Sequence, residues 1–92
     1  MSYELVFGPK AQTAYDELPL SLLDGFDAEM DRLADDPAAV SIPGGFPFPA
    51  DRMVFHFALD DFDGKPWDFA IHFRYGQDEQ TLHVIAITVL PP

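Results

Sequence analysis

Two alternating runs carry the residues best suited to chemistry. In Arg52 to Leu59 the even positions are Arg52, Val54, His56 and Ala58, and in Trp67 to Tyr75 they are Asp68, Ala70, His72 and Arg74. The odd positions of both runs are apolar, so each run reads as a strand whose even side chains share one face. If Leu59 pairs with Trp67 in an antiparallel hairpin, His56 opposes Ala70 and His72 opposes Val54. The two imidazoles then stand diagonally, within reach of one another, with Asp68 on the other diagonal of His56. Such a set suits an acid–base pair, or a metal site of two histidines and one carboxylate. The plainer reading is a half-exposed sheet face on which histidine is tolerated. The facing of His83 stays open, because a bulge introduced by the Gly76 to Gln80 turn would flip it.

Arg52 and Arg74 fall opposite each other in the same register. Two like charges so placed are mildly unfavourable and call for an anion or an acidic neighbour. A phosphate or carboxylate clamp is the functional reading, and partnership with Asp51 or Asp78 is the ordinary one.

The elements that position these groups follow from periodicity. Tyr3 to Phe7 alternates as a short strand, and Gly8-Pro9 breaks it at a position where proline suits a helix start. Ala11, Ala14, Tyr15 and Leu18 recur at helical spacing until Pro19. A second helix over about Leu20 to Asp35 has Leu22, Leu23, Phe26, Met30 and Leu33 as its apolar stripe. Pro37 to Ala50, with Pro37, Pro43, Gly44, Gly45, Pro47 and Pro49, is expected to be a loop with neither helix nor ladder. Its Phe46 and Phe48 need cover, by packing on the core edge, closing over the sheet face, or docking on another chain. Asp63-Gly64 marks the turn between the alternating runs. Thr81 to Leu90 is apolar on both faces, as an interior strand should be.

Composition narrows the function. The 92 residues form one expected domain, 1–92, in which sixteen Asp+Glu against five Lys+Arg give a net charge of −11. So acidic a surface repels phosphate backbones and anionic membranes, so direct nucleic-acid binding is disfavoured and a basic partner is favoured. Asp24, Asp27, Asp31, Asp35 and Asp36 concentrate on the second helix, where they form a solvated face, a docking face for a basic partner or a mimic of a nucleic-acid backbone. Cysteine is absent, excluding disulfides and thiolate chemistry. No apolar run reaches the length of a membrane span, and the start Met1-Ser2-Tyr3-Glu4 has no signal-peptide character. A cytoplasmic protein without membrane attachment is expected. Nucleotide-loop, dinucleotide, serine-hydrolase and zincin motifs are missing, and no cofactor or resident metal is implied.

The order strand, helix, helix and three strands resembles the RelE/ParE toxin superfamily of bacterial toxin–antitoxin pairs. The resemblance rests on Phe7, Pro9 and Ala11 entering the first helix, Leu18-Pro19 between the helices, and Leu33-Ala34-Asp35-Asp36-Pro37 closing the second. With the three-strand meander it spans nearly the whole chain. It implies an α+β fold in which two N-terminal helices pack on one face of a mostly antiparallel four-stranded sheet. It implies either ribosome-dependent mRNA cleavage or gyrase poisoning, silenced by a cognate antitoxin. RelE-like cleavage uses basic residues, usually with a tyrosine, on the exposed sheet face and near the C-terminus, since a pentavalent phosphate must be neutralised while protons move. Asp68 stands where a basic residue is common, Ala86 where an arginine often lies, and Thr88-Val89-Leu90 replaces a small-His-Arg ending. Arg52 roughly matches an arginine of the superfamily's second strand.

Two functions follow. The first is a non-enzymatic module binding an antitoxin-like or basic protein, with a homodimer also open. The second is an mRNA endonuclease whose catalytic residues would be His56, His72, Arg52 and Arg74.

Overall fold

Proline and glycine punctuate the chain where its elements change. The computed structural model describes residues 2–92. Strand β1 (Glu4–Phe7) stops at Gly8, and Pro9 opens helix α1 (Pro9–Asp16) at the turn where its missing N–H is not needed. Pro19 precedes the longer helix α2 (Leu20–Asp35). Helix α3 (Pro37–Val40) and strand β2 (Ile42–Pro43) come next, followed by strands β3 (Met53–Asp60), β4 (Pro66–Tyr75) and β5 (Thr81–Leu90).

The sheet order is β1-β5-β4-β3-β2, with β1 parallel to β5 and every other pair antiparallel. The α+β class and the placement of its helices agree with the sequence reading. The sheet has five strands, however, not four. The segment expected to lack regular structure contains both α3 and β2. Asp36 accounts for the first, since its carboxylate accepts the Ala39 amide at 3.3 Å and caps a turn that Pro37 begins. Pro43 accounts for the second, because β2 is an edge strand and a missing donor there costs no ladder bond.

Both helices bury their stripes on one side of the sheet. Ala11, Leu22, Phe26, Met30 and Leu33 meet Phe55, Phe69, Ile71, Phe73, Leu82 and Val84 in a continuous core. Phe26 is fully buried at its centre, with ring centroids 5.6 Å from Tyr15, 5.8 Å from Phe57 and 5.6 Å from Phe69. Gly25 lets α2 lie close to β3, for a Cβ there would stand 3.0 Å from Leu59 Cδ2. The Tyr15 hydroxyl donates to Asp27 at 2.9 Å and ties α1 to α2. That bond, to a carboxylate that repels the phenolate, raises the Tyr15 pKa above its ordinary value.

Two acidic side chains build the turns of the meander. Asp61 accepts the Asp63 and Lys65 amides at 2.9 and 3.0 Å and the Trp67 indole N–H at 3.0 Å. Gly64, with φ +75°, takes the left-handed position of that turn, as Asp63-Gly64 suggests. Asp78 accepts the Gln80 and Thr81 amides at 3.0 and 3.1 Å and the Thr81 hydroxyl at 2.9 Å. Its carboxyl is held below the usual range by these bonds, chiefly the one from Gln80.

Candidate functional site

The face of the sheet opposite the helices carries nearly all the chemistry-bearing side chains, and ladder register decides their company. Leu59 pairs with Trp67, His56 with Ala70 and Val54 with His72, the register read from the sequence. His56 and His72 are therefore diagonal neighbours on one face. Asp68 pairs with Ala58 and flanks His56 on the other diagonal. Histidine and carboxylate do not close into a metal-ligating group: among the described residues no cluster of three such side chains forms.

The corner around His72 is covered, and Val54 is buried rather than bare. Ile42 of β2 stands directly across from Val54, and the loop before β3 brings the Phe48 ring to 5.3 Å from the His72 ring. Arg52 then lies over Phe48, its guanidinium carbon 4.9 Å from the ring centroid, a cation–π contact. Of the three roles open to the Gly44 to Pro49 segment, Phe48 takes cover over the sheet face, while Phe46 is wholly exposed.

Beneath this cover His72 Nδ1 is buried and has no hydrogen-bond partner among the described residues. Burial, followed by the positive charge of Arg52 and the nearby His56, holds the His72 pKa below its ordinary 6.5. His72 is therefore a neutral imidazole at pH 7. A depressed folded-state pKa means that the unfolded chain binds the proton more readily. The stabilisation from neutral His72 is thus complete above pH 6.5 and is lost as pH falls below that value toward the folded-state pKa. We expect His72→Gln to flatten the decline in stability just below this pH, as read from urea midpoints at a series of pH values. An unchanged pH profile in the variant would refute the assignment.

The two arginines differ in their surroundings. The β3–β4 ladder begins at Met53 opposite Phe73, so Arg52 falls just outside it, and its carbonyl accepts the Gly44 amide at 2.8 Å. Arg74 stays in β4, directly across from His83 of β5. Neither arginine pairs with Asp51 or Asp78. Among the described residues the ion pair is Arg32 with Glu29, at 3.4 Å on α2. Lys65 precedes β4 and Arg74 lies near its end, which puts about 30 Å of strand between them. Lys65 therefore stands apart from Arg74 and the residues around it.

His83 is settled by a bulge in a place other than the turn. His72 pairs with Ala86 but Phe73 pairs with Val84, leaving Ile85 as the extra residue within β5. His83 consequently faces the same side as Arg74. Lys10, which the sequence did not single out, reaches this corner from α1 and lines a hollow with Val6, Arg74 and His83. Its one sequence signal is a lysine just after the Pro9 that starts a helix, where a cation meets the positive end of the dipole. Moving away from Arg74 along the face, Ala86 stands opposite His72, Thr88 opposite Ala70 and, at the far end, Leu90 opposite Asp68.

No family model matches the chain, and no curated protein matches it in sequence. Solved structures do match. The chain is similar to the toxin–antitoxin complex RelBE2 from Mycobacterium tuberculosis, with a TM-score of 0.71 at 17% identity over 95% of this chain and 96% of that one. It is similar to the intact RelBE complex of Escherichia coli, with a TM-score of 0.62 at 15% identity over 94% of each chain. It is also similar to the archaeal RelE–RelB complex from Pyrococcus horikoshii, with a TM-score of 0.57 at 13% identity over 96% and 94% of the two chains. The chain shares its fold with the RelE chains of these structures.

Proposed function

We propose that this chain is a single RelE-like domain over residues 1–92, a cytoplasmic protein-interaction module that binds an antitoxin-like or basic protein and does not cleave RNA. The observation that carries this reading is the poverty of positive charge on the exposed sheet face. Asp68, Ala70, Ala86, Thr88 and Leu90 occupy its far end, where phosphate neutralisation would need cations. The overall charge of −11 opposes a polyanionic substrate further.

The helical side supports a protein partner. Asp24, Asp27, Asp31 and Asp35 are all exposed along α2, and Asp36 is exposed just past its end. Between α1 and α2 lies a hollow of about 440 Å³ with Phe7, Tyr15 and Met30 on its apolar wall and Asp27 and Asp31 at its rim. An apolar segment bearing Lys or Arg suits both features. RelE–RelB pairing in the solved complexes makes an antitoxin-like protein the favoured partner, with a second copy of the chain as the alternative.

The endonuclease reading keeps one specific observation. Neutral His72 beside Arg52 and His56 offers a proton acceptor next to a cation, and Arg74 would add a second phosphate contact. Inducible expression in a bacterial host separates the two. We expect undiminished growth and intact mRNA. Growth arrest with ribosome-dependent cuts, abolished by Arg52→Ala or Arg74→Ala, would overturn the interaction-module reading.

A further inference from the structure

The corner of the sheet face at β1, β5 and α1 concentrates positive charge in a way the rest of the molecule does not. The whole chain has five Lys+Arg and three His, and Lys10, Arg74 and His83 line one hollow of about 530 Å³. A second hollow of about 500 Å³ shares Val6, Arg74 and His83 and extends to Asp78, the one acidic residue on either wall. Asp78 keeps its charge but directs its hydrogen bonds into its own turn. Three hydrogen bonds from Gln80 and Thr81 engage its carboxylate, and it forms no ion pair with Arg74.

Among the described residues no member of the trio forms an ion pair. Arg74 and His83 are directly opposed cross-strand neighbours, so their N–H donors converge on one spot. Lys10 sits in the first turn of α1, which contains no acidic residue to offset the helix field. With sixteen acidic side chains available, none separates these three. An anion between them would give all three a hydrogen-bonding partner at once. The remaining wall is apolar: Pro9, Ile85 and Val6, which is 41% exposed. Its volume falls in the range of small-molecule sites, which combine apolar walls with a few convergent polar groups.

We propose that this corner binds a small phosphomonoester of nucleotide size, its phosphate held by Arg74, Lys10 and His83 and its ring laid against Val6, Pro9 and Ile85. A short ligand is favoured over a nucleic-acid strand because the rest of the surface repels a polyanion. The inference goes beyond the proposed interaction role and does not depend on it. Neither outcome below bears on growth or mRNA cleavage.

The test is an NMR titration of the full chain with AMP, inorganic phosphate, adenosine and a 5′-phosphorylated RNA dodecamer. We expect AMP to shift the amide signals of Lys10, Arg74 and His83, phosphate to do so more weakly, and adenosine not at all. The double variant Lys10→Gln/Arg74→Gln, with all remaining signals in place, should weaken AMP binding by at least about tenfold. No shift at millimolar AMP, equal affinity in the double variant, or tighter binding of the RNA than of AMP would each overturn the proposal.

Discussion

Phe26→Ala should cost about 3–5 kcal/mol of folding stability, because it empties the centre of the core where collapse is hardest. Phe26 has no exposed surface and touches aromatic rings from α1, β3 and β4. A domain of this size has a total stability of about 5–15 kcal/mol, so this single change removes a large share of it. The melting temperature should fall by an amount on the order of 20 °C. The control is Phe46→Ala. Phe46 is a residue of the same type but wholly exposed, and its loss should move stability by no more than about 0.5 kcal/mol. Urea denaturation of both variants checks the pair. Equal losses would mean that α2 does not lie on the sheet through Phe26.

That contrast also marks how far the sequence reaches. Phe26 is placed in the core by its spacing from Leu22, Met30 and Leu33, a local periodicity that survives into the fold. The β3–β4 register was legible for a similar reason. Two alternating runs joined by Asp63-Gly64 leave few alignments that put Phe55, Phe57, Phe69 and Phe73 on one side. Pro37 to Ala50 was not legible. Proline content argues against regular structure, yet Pro37 opens a helix and Pro43 sits on a sheet edge, the two settings in which proline is harmless.

The site was legible in its residues and less so in their groupings. His56 and His72 share a face because both lie within the β3–β4 ladder. Arg52 lies just outside that ladder and over Phe48, a long-range contact across a loop that periodicity cannot locate. The Ile85 bulge inverts the facing of half a strand through one unpaired residue, so neither the side of His83 nor its meeting with Lys10 could follow from alternation alone. Charge behaves differently. A net −11 is a property of composition and persists in any fold, and for that reason it weighs more heavily than any one residue in the expectation about RNA.

Cleavage of ribosome-bound mRNA should be slower by about 10⁴-fold or more than that of the Escherichia coli toxin RelE measured beside it. Removing one group that stabilises developing charge costs about 10²–10³ in rate, and on the proposed reading Asp68 and Ala86 stand at two positions where the RelE resemblance implies cations. Their effects need not multiply fully, since groups acting together are not additive, so the lower end of the product is the safer expectation. Asp68 does more than leave a gap, because a carboxylate beside His56 repels the phosphate that an arginine would hold. Arg52 is a poor substitute while its guanidinium lies over Phe48, and Arg74, at the same end of the β3–β4 ladder, faces the hollow it lines with Lys10 and His83, away from Asp68. Primer extension on programmed ribosomes is the measurement. Cuts at a rate within about tenfold of the RelE control would mean that Arg52, His56 and His72 suffice, and that positive charge at the far end of the sheet is dispensable.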